Sequence, residues 1–209
     1  MNERAGGLVK KIVFLLLLAY FSTTASAGYA ITPLKVAVMP PMNTADYHPQ
    51  QDIQILQDTI KKPFKYPHYT LLPADMTAEA AQSLLTENKQ ARLSDETILS
   101  AVADALSADI VVVVELDRAR QQRFYSHRLD DTYVQSDITI KCYAYSAATK
   151  QYDIMKANKN SVEGESIQTS PEVILKDLAE EILIKLPYKR IPPAQGSGSH
   201  SNTVKKREG

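Results

Sequence analysis

Cysteine is nearly missing from this chain, with Cys142 the sole one in 209 residues. No intramolecular disulfide can form, so stability has to come from a hydrophobic core. Glycine is scarce where it would matter most. Between residues 28 and 191 only Gly28 and Gly164 occur. That excludes a dinucleotide fingerprint and a phosphate loop, which need glycines for tight turns and for close approach of backbone to phosphate. The Gly-x-Ser-x-Gly nucleophile elbow is absent, and no two histidines stand at zinc-helix spacing, so neither a cofactor nor a metal is expected. A basic surplus is missing as well. The net charge is zero, and residues 28–188 carry about six more acidic than basic side chains. Phosphate contacts demand the reverse, so nucleic acid is not an expected partner.

What is present begins with an export pattern. Arg4, Lys10 and Lys11 precede the apolar run Ile12–Phe21, and Ala25-Ser26-Ala27 supplies the small-x-small site of signal peptidases. Residues 1–27 therefore read as a signal peptide with Gly28 opening the mature chain. The apolar run reaches about half of a bilayer core of roughly 30 Å, which argues against a stable membrane span after cleavage. No cysteine lies at the cleavage site, so lipid attachment there is not expected. The protein is expected to be exported, periplasmic or secreted. Residues 28–191 read as a single domain, since a chain of about 160 residues can bury close to 70% of its unfolded surface. Residues 192–209, with Pro192-Pro193, a Gly-Ser stretch and Lys205, Lys206 and Arg207, read as a disordered basic tail.

Periodicity sets the fold class. Leu34–Met39 is a short apolar strand stopped by Pro40-Pro41. Ile53, Leu56 and Ile60 mark one face of a helix over 50–62, and a short strand follows at His68–Pro73. Met76, Ala80 and Leu84 mark a second helix from Asp75 to about Asn88. Ser94 caps a third, with Asp95 and Glu96 in its first turn. Ile110–Val114 is an unbroken β-branched run, the mark of a central strand covered on both faces. Residues 132–145 alternate strictly, placing Val134, Ile138, Ile140, Cys142 and Ala144 inward, and a turn at Ala148-Thr149-Lys150 leads to a partner strand over 152–159. Ser170-Pro171-Glu172 opens a last helix that Pro187 ends. This order predicts an α/β fold, a mixed parallel and antiparallel sheet with helices packed on at least one face.

Three segments carry a family resemblance: the strand Lys35–Pro41, the helix-to-strand run Ala101–Val113, and the hairpin around Ala148-Thr149-Lys150-Gln151. In their order the chain resembles the amino-terminal domain of TolB and the related domain of the curli-secretion lipoprotein, both of the bacterial envelope. The turn Ser146–Lys150 has neither the acid nor the glycine usual in that family. The resemblance implies a non-enzymatic envelope role in which sheet edges and exposed faces bind an envelope protein or a second copy.

Candidate site residues fall in three groups. Asn43, Asp46, Tyr47 and His48 form a loop beyond the first strand, at the end where open α/β sheets bind ligands. Were His48 to meet Glu115 or Asp117 at the end of the central strand, an acid and base pair for a hydrolytic enzyme would result; polar loop residues also serve solvation and turn formation alone. Arg118, Arg120 and Arg123 belong to a basic connection that an anionic lipid or partner could contact, or that is simply a solvated hairpin loop. Tyr133, Tyr143 and Tyr145 share the outer face of the alternating strand. They form either a protein-binding face or the underside of a covering helix. Cys142 and His68 read as structural residues.

Overall fold

The structure is a computed structural model that describes residues 32–87 and 90–188. The signal peptide and the basic tail inferred above lie outside the described residues. The described residues from Pro33 onward form one unit, built on a six-stranded sheet. The strands are β1 (Leu34–Val38), β2 (Met42–Asn43), β3 (Tyr69–Leu71), β4 (Ile110–Ser126), β5 (Asp131–Ser146) and β6 (Gln151–Gly164). The helices are α1 (Gln50–Lys61), α2 (Ala74–Glu87), α3 (Glu96–Leu106) and α4 (Pro171–Lys185). β1 runs parallel to both β3 and β4, whereas β4, β5 and β6 are joined antiparallel. The mixed α/β sheet expected from periodicity is the one observed.

Helices cover both faces. On one, Ile53, Leu56 and Ile60 of α1 and Leu175, Leu178 and Ile182 of α4 pack on Val36, Val112, Val114, Ile140 and Cys142. On the other, Ala81 of α2 and Ile98, Leu99 and Val102 of α3 pack on Ala37, Val111, Val113, Tyr143 and Tyr145. The run Ile110–Val114 is buried at every position, because alternate side chains enter different cores. Each such aliphatic side chain contributes about 1.5–3 kcal/mol on leaving water.

Winding reverses at β1. The chain leaves β1 through α1 on one face to reach β3 on one side. It returns through α2 and α3 on the other face to reach β4 on the far side. Asp109 sets the register of that return. Its backbone N–H donates to the Lys35 carbonyl at 2.9 Å, and its carboxylate accepts the Lys35 N–H at 2.7 Å.

Two local expectations change. The residue before α3 is Asp95 rather than Ser94, and its carboxylate accepts the Arg92 backbone N–H at 2.7 Å instead of capping the helix. Ser94 serves through its carbonyl, which accepts the Tyr152 hydroxyl at 2.5 Å. The basic connection after Arg118 is not a loop. β4 continues to Ser126, paired with β5 throughout, and the turn comes only at residues 127–130, where Asp130 takes φ 52°. Residues 120–125 are exposed on both faces of the strand, so polarity there reflects contact with water and does not signal a loop.

Candidate functional site

β1 ends at Val38 and the chain returns to the same edge of β4 as β2, pairing Met42 with Glu115 and Asn43 with Leu116. The gap between the two pairings, at the carboxyl end of β1 and beside the first third of β4, is where the winding reverses, and such switch points are the usual place for a ligand crevice in an open α/β sheet. Next to it, on the α2–α3 side of β2, β4 and β5, lies a cavity of about 620 Å³. Its floor is Glu115, Asp117, Lys141 and Tyr143; Asn43 and Thr44 form one wall, and Leu85, Arg92 and Leu93 face them.

A bulge shapes the floor. The β4–β5 register runs from Leu116 opposite Ile140 to Arg118 opposite Thr139, leaving Asp117 as an extra residue. The extra residue re-aims side chains: Asp117 lines the same cavity as Glu115 and accepts a hydrogen bond from the Lys141 ammonium at 2.5 Å. Glu115 is 6% exposed. Its Oε1 accepts the Thr44 hydroxyl at 2.8 Å and its Oε2 the Tyr143 hydroxyl at 2.5 Å. Burial, reinforced by the bond to Glu115, holds the Tyr143 phenol well above its ordinary range.

The loop group is built for its own turn. The Asn43 amide donates to the Tyr47 carbonyl at 2.7 Å, and the Tyr47 N–H donates to Asn43 Oδ1 at 3.1 Å. Asp46 takes φ 53°, a left-handed conformation that aspartate tolerates. The Tyr47 hydroxyl donates to Asp52 at 2.6 Å, and its ring packs on the α1–α4 side of the sheet. Of these four residues only Asn43 lines the cavity. His48 is exposed and is not among the residues lining the cavity that holds Glu115 and Asp117. Among the described residues no group of three or more His, Cys, Asp or Glu side chains could hold a metal.

The tyrosines divide. Tyr143 and Tyr145 lie under α3, 8% and 3% exposed, with the Ser100 hydroxyl donating to the Tyr145 hydroxyl at 3.1 Å. The covering-helix alternative holds for these two, and they are not available as a docking face. Tyr133 lies beyond the helices and stacks on Phe124, ring centroids 6.0 Å apart.

The arginines divide as well. Arg118 and Arg120 share a face with Gln122 and Phe124, and all four are exposed. Arg118 pairs with Asp137 at 3.1 Å. Arg123 points to the opposite face, where it pairs with Glu165 at 2.5 Å beside the start of α4.

Thr44, Arg92 and Lys141 were not singled out from the sequence. A signal existed for Lys141, a charged residue flanked by Ile140 and Cys142 on the strand destined to pair with Glu115. None existed for Arg92, which reaches the cavity only through the fold.

No protein-family model and no curated protein matches the chain. Among solved structures, the lipoprotein GNA1162 from Neisseria meningitidis is 14% identical with a TM-score of 0.41, covering 73% of this chain and 97% of its own. The hypothetical protein CT253 from Chlamydia trachomatis is 11% identical with a TM-score of 0.43, covering 73% and 95%. The LpoB C-terminal domain from Escherichia coli is 12% identical with a TM-score of 0.37, covering 67% and 92%.

Proposed function

We propose that the chain is an exported, non-enzymatic accessory domain that holds an acidic segment of another cell-envelope protein on one face of the β4–β5–β6 arm. The observation that carries this reading is the uncovered aromatic and basic face. On the α2–α3 side the buried cluster stops at Val113 and Tyr143. Farther out that side presents Phe124 stacked on Tyr133, an exposed Val162, and Arg118 and Arg120, with Asp137 opposite Arg120 and paired with Arg118. Aromatic rings flanked by arginine are the composition of interface anchors. The surplus of acid elsewhere on residues 28–188 makes this basic face the place where an acidic segment meets attraction instead of repulsion.

Export rests on the pattern of residues 1–27. Among the described residues no helix is long and apolar enough to cross a membrane. The accessory reading is preferred over the enzymatic alternative because His48 does not line the cavity that holds Glu115 and Asp117.

The test is site-specific photo-crosslinking in the cells that make the chain, with the reactive side chain at position 124 and, as control, at exposed Gln82 on α2. Position 124 should give one discrete adduct, weakened by Arg120→Glu, and position 82 none. Failure of position 124 to give an adduct, or an adduct indifferent to Arg120→Glu, would sink the reading.

A further inference from the structure

We propose that the cavity beside β2, over Glu115 of β4 and Tyr143 of β5, binds a small zwitterion, an α-amino acid with an apolar side chain, its ammonium on Glu115 and its carboxylate toward Arg92. The inference is independent of what docks on the arm.

Glu115 is a buried carboxylate that forms no ion pair among the described residues, although Lys141 stands opposite it on β5. Its two bonds come from neutral hydroxyls, and no described ammonium or guanidinium lies within 4.0 Å of it. Lys141, the nearest basic residue along the floor, is bound to Asp117 at 2.5 Å. Burying an ionised carboxylate costs more than neutral hydrogen bonds return, unless a charge of opposite sign completes the site. Each carboxylate oxygen still has acceptor capacity after one bond, and the cavity is the open side.

Arg92 supplies the second half. It lines the same cavity, and no ion pair forms between it and any described carboxylate. Glu115 and Arg92 are thus two charges of opposite sign on one cavity, neither in an ion pair with the other or with another described residue. A simple cation would meet Lys141 and Arg92, and a simple anion would meet Glu115 and Asp117. A ligand carrying both charges satisfies both ends. Leu85, Leu93 and Met42 give an apolar wall for the side chain. The volume of about 620 Å³ falls within the roughly 300–1,000 Å³ of small-molecule sites.

Calorimetric titration of the full chain with L-leucine, 3-methylbutylamine and 4-methylpentanoate tests the proposal, because the last two are leucine without its carboxylate and without its ammonium. Leucine should bind saturably at one site, and each truncated probe should bind at least about tenfold more weakly. Glu115→Gln should remove leucine binding. Arg92→Ala, at an exposed position that cannot unfold the domain by cavity formation, should weaken leucine by about tenfold while leaving 3-methylbutylamine unchanged. No saturable binding of leucine to the unaltered chain would overturn the proposal, as would equal affinity for leucine and 3-methylbutylamine, or leucine binding untouched by Arg92→Ala.

Discussion

The hydroxyl of Tyr143 donates to Glu115 Oε2 at 2.5 Å, diagonally across the β4–β5 pair, since Tyr143 stands opposite Val113 and Glu115 opposite Lys141. This bond joins the floor of the cavity to the core under α3. Tyr143→Phe keeps the ring and deletes the donor, leaving Glu115 with the Thr44 hydroxyl alone. Such bonds to a charged group contribute about 1.5–3 kcal/mol, so urea unfolding should show a loss of that size with the fold retained. In a double-mutant cycle with Glu115→Gln the two changes should couple by about 1 kcal/mol or more. Additive losses would show that the bond carries no stability.

Tyr145 and Phe124 separate packing from docking. Tyr145→Ser opens a cavity under α3 and strands the Ser100 hydroxyl, so it should cost about 3–5 kcal/mol in chemical denaturation. Phe124→Ser removes a ring that is 38% exposed on the arm and should cost well under about 1 kcal/mol apart from the stacking with Tyr133. Equal losses would mean that the arm is packed as tightly as the body.

Much of this fold was legible because its signals are periodic. The double burial of Ile110–Val114 follows from a β-branched run with no polar face, and the helices over 50–62 and 171–186 follow from apolar spacing that tertiary packing then honoured. The distal half of β4 was misread because Arg118–Ser126 carries a polar residue at almost every position. Its strand character comes from the partner it finds in β5, which is a tertiary fact. The same limit hid the roles of the tyrosines: alternation placed Tyr133, Tyr143 and Tyr145 on one face, but only the reach of α3 decides that two are buried and one is not. At the cavity, Glu115 and Asp117 were visible as acids ending a central strand. The bulge that turns both to one side left no mark in the sequence.

Gln121 ties the arm to the segment before α4. Its amide donates to the Ser136 hydroxyl at 2.9 Å and to the Thr169 carbonyl at 2.9 Å, so one side chain spans β4, β5 and the short 3₁₀ turn Ile167–Thr169. Gln121→Ala should speed amide hydrogen exchange over residues 166–171 without moving the global unfolding midpoint by more than the roughly 0.5–1.5 kcal/mol of a hydrogen bond. Unchanged exchange there would show that the turn is held by its own capping box, in which the side chains of Ser166 and Thr169 bond reciprocally to each other's backbone.

Cys142 gives the alkaline limb of stability a specific source. The side chain projects from β5 into the α1–α4 core and is fully buried, and burial pushes its thiol from the ordinary 9.0 up to about 12. Below pH 9.0 the thiol is neutral in both the folded and the unfolded chain, and the contribution of its burial is complete. Between 9.0 and about 12 the unfolded chain loses the proton while the folded one keeps it. Stability therefore falls as pH rises through that window, by at most about 1.4 kcal/mol per pH unit for one group. The buried phenols of Tyr143 and Tyr188, also raised by burial, add to the fall at higher pH. Cys142→Ala removes the thiol and leaves a small cavity, so it should be less stable than the unaltered chain at neutral pH yet lose less stability between about pH 8 and 10. Urea midpoints across that range measure both effects. A parallel decline in the two chains would show that the phenols alone set the alkaline limb.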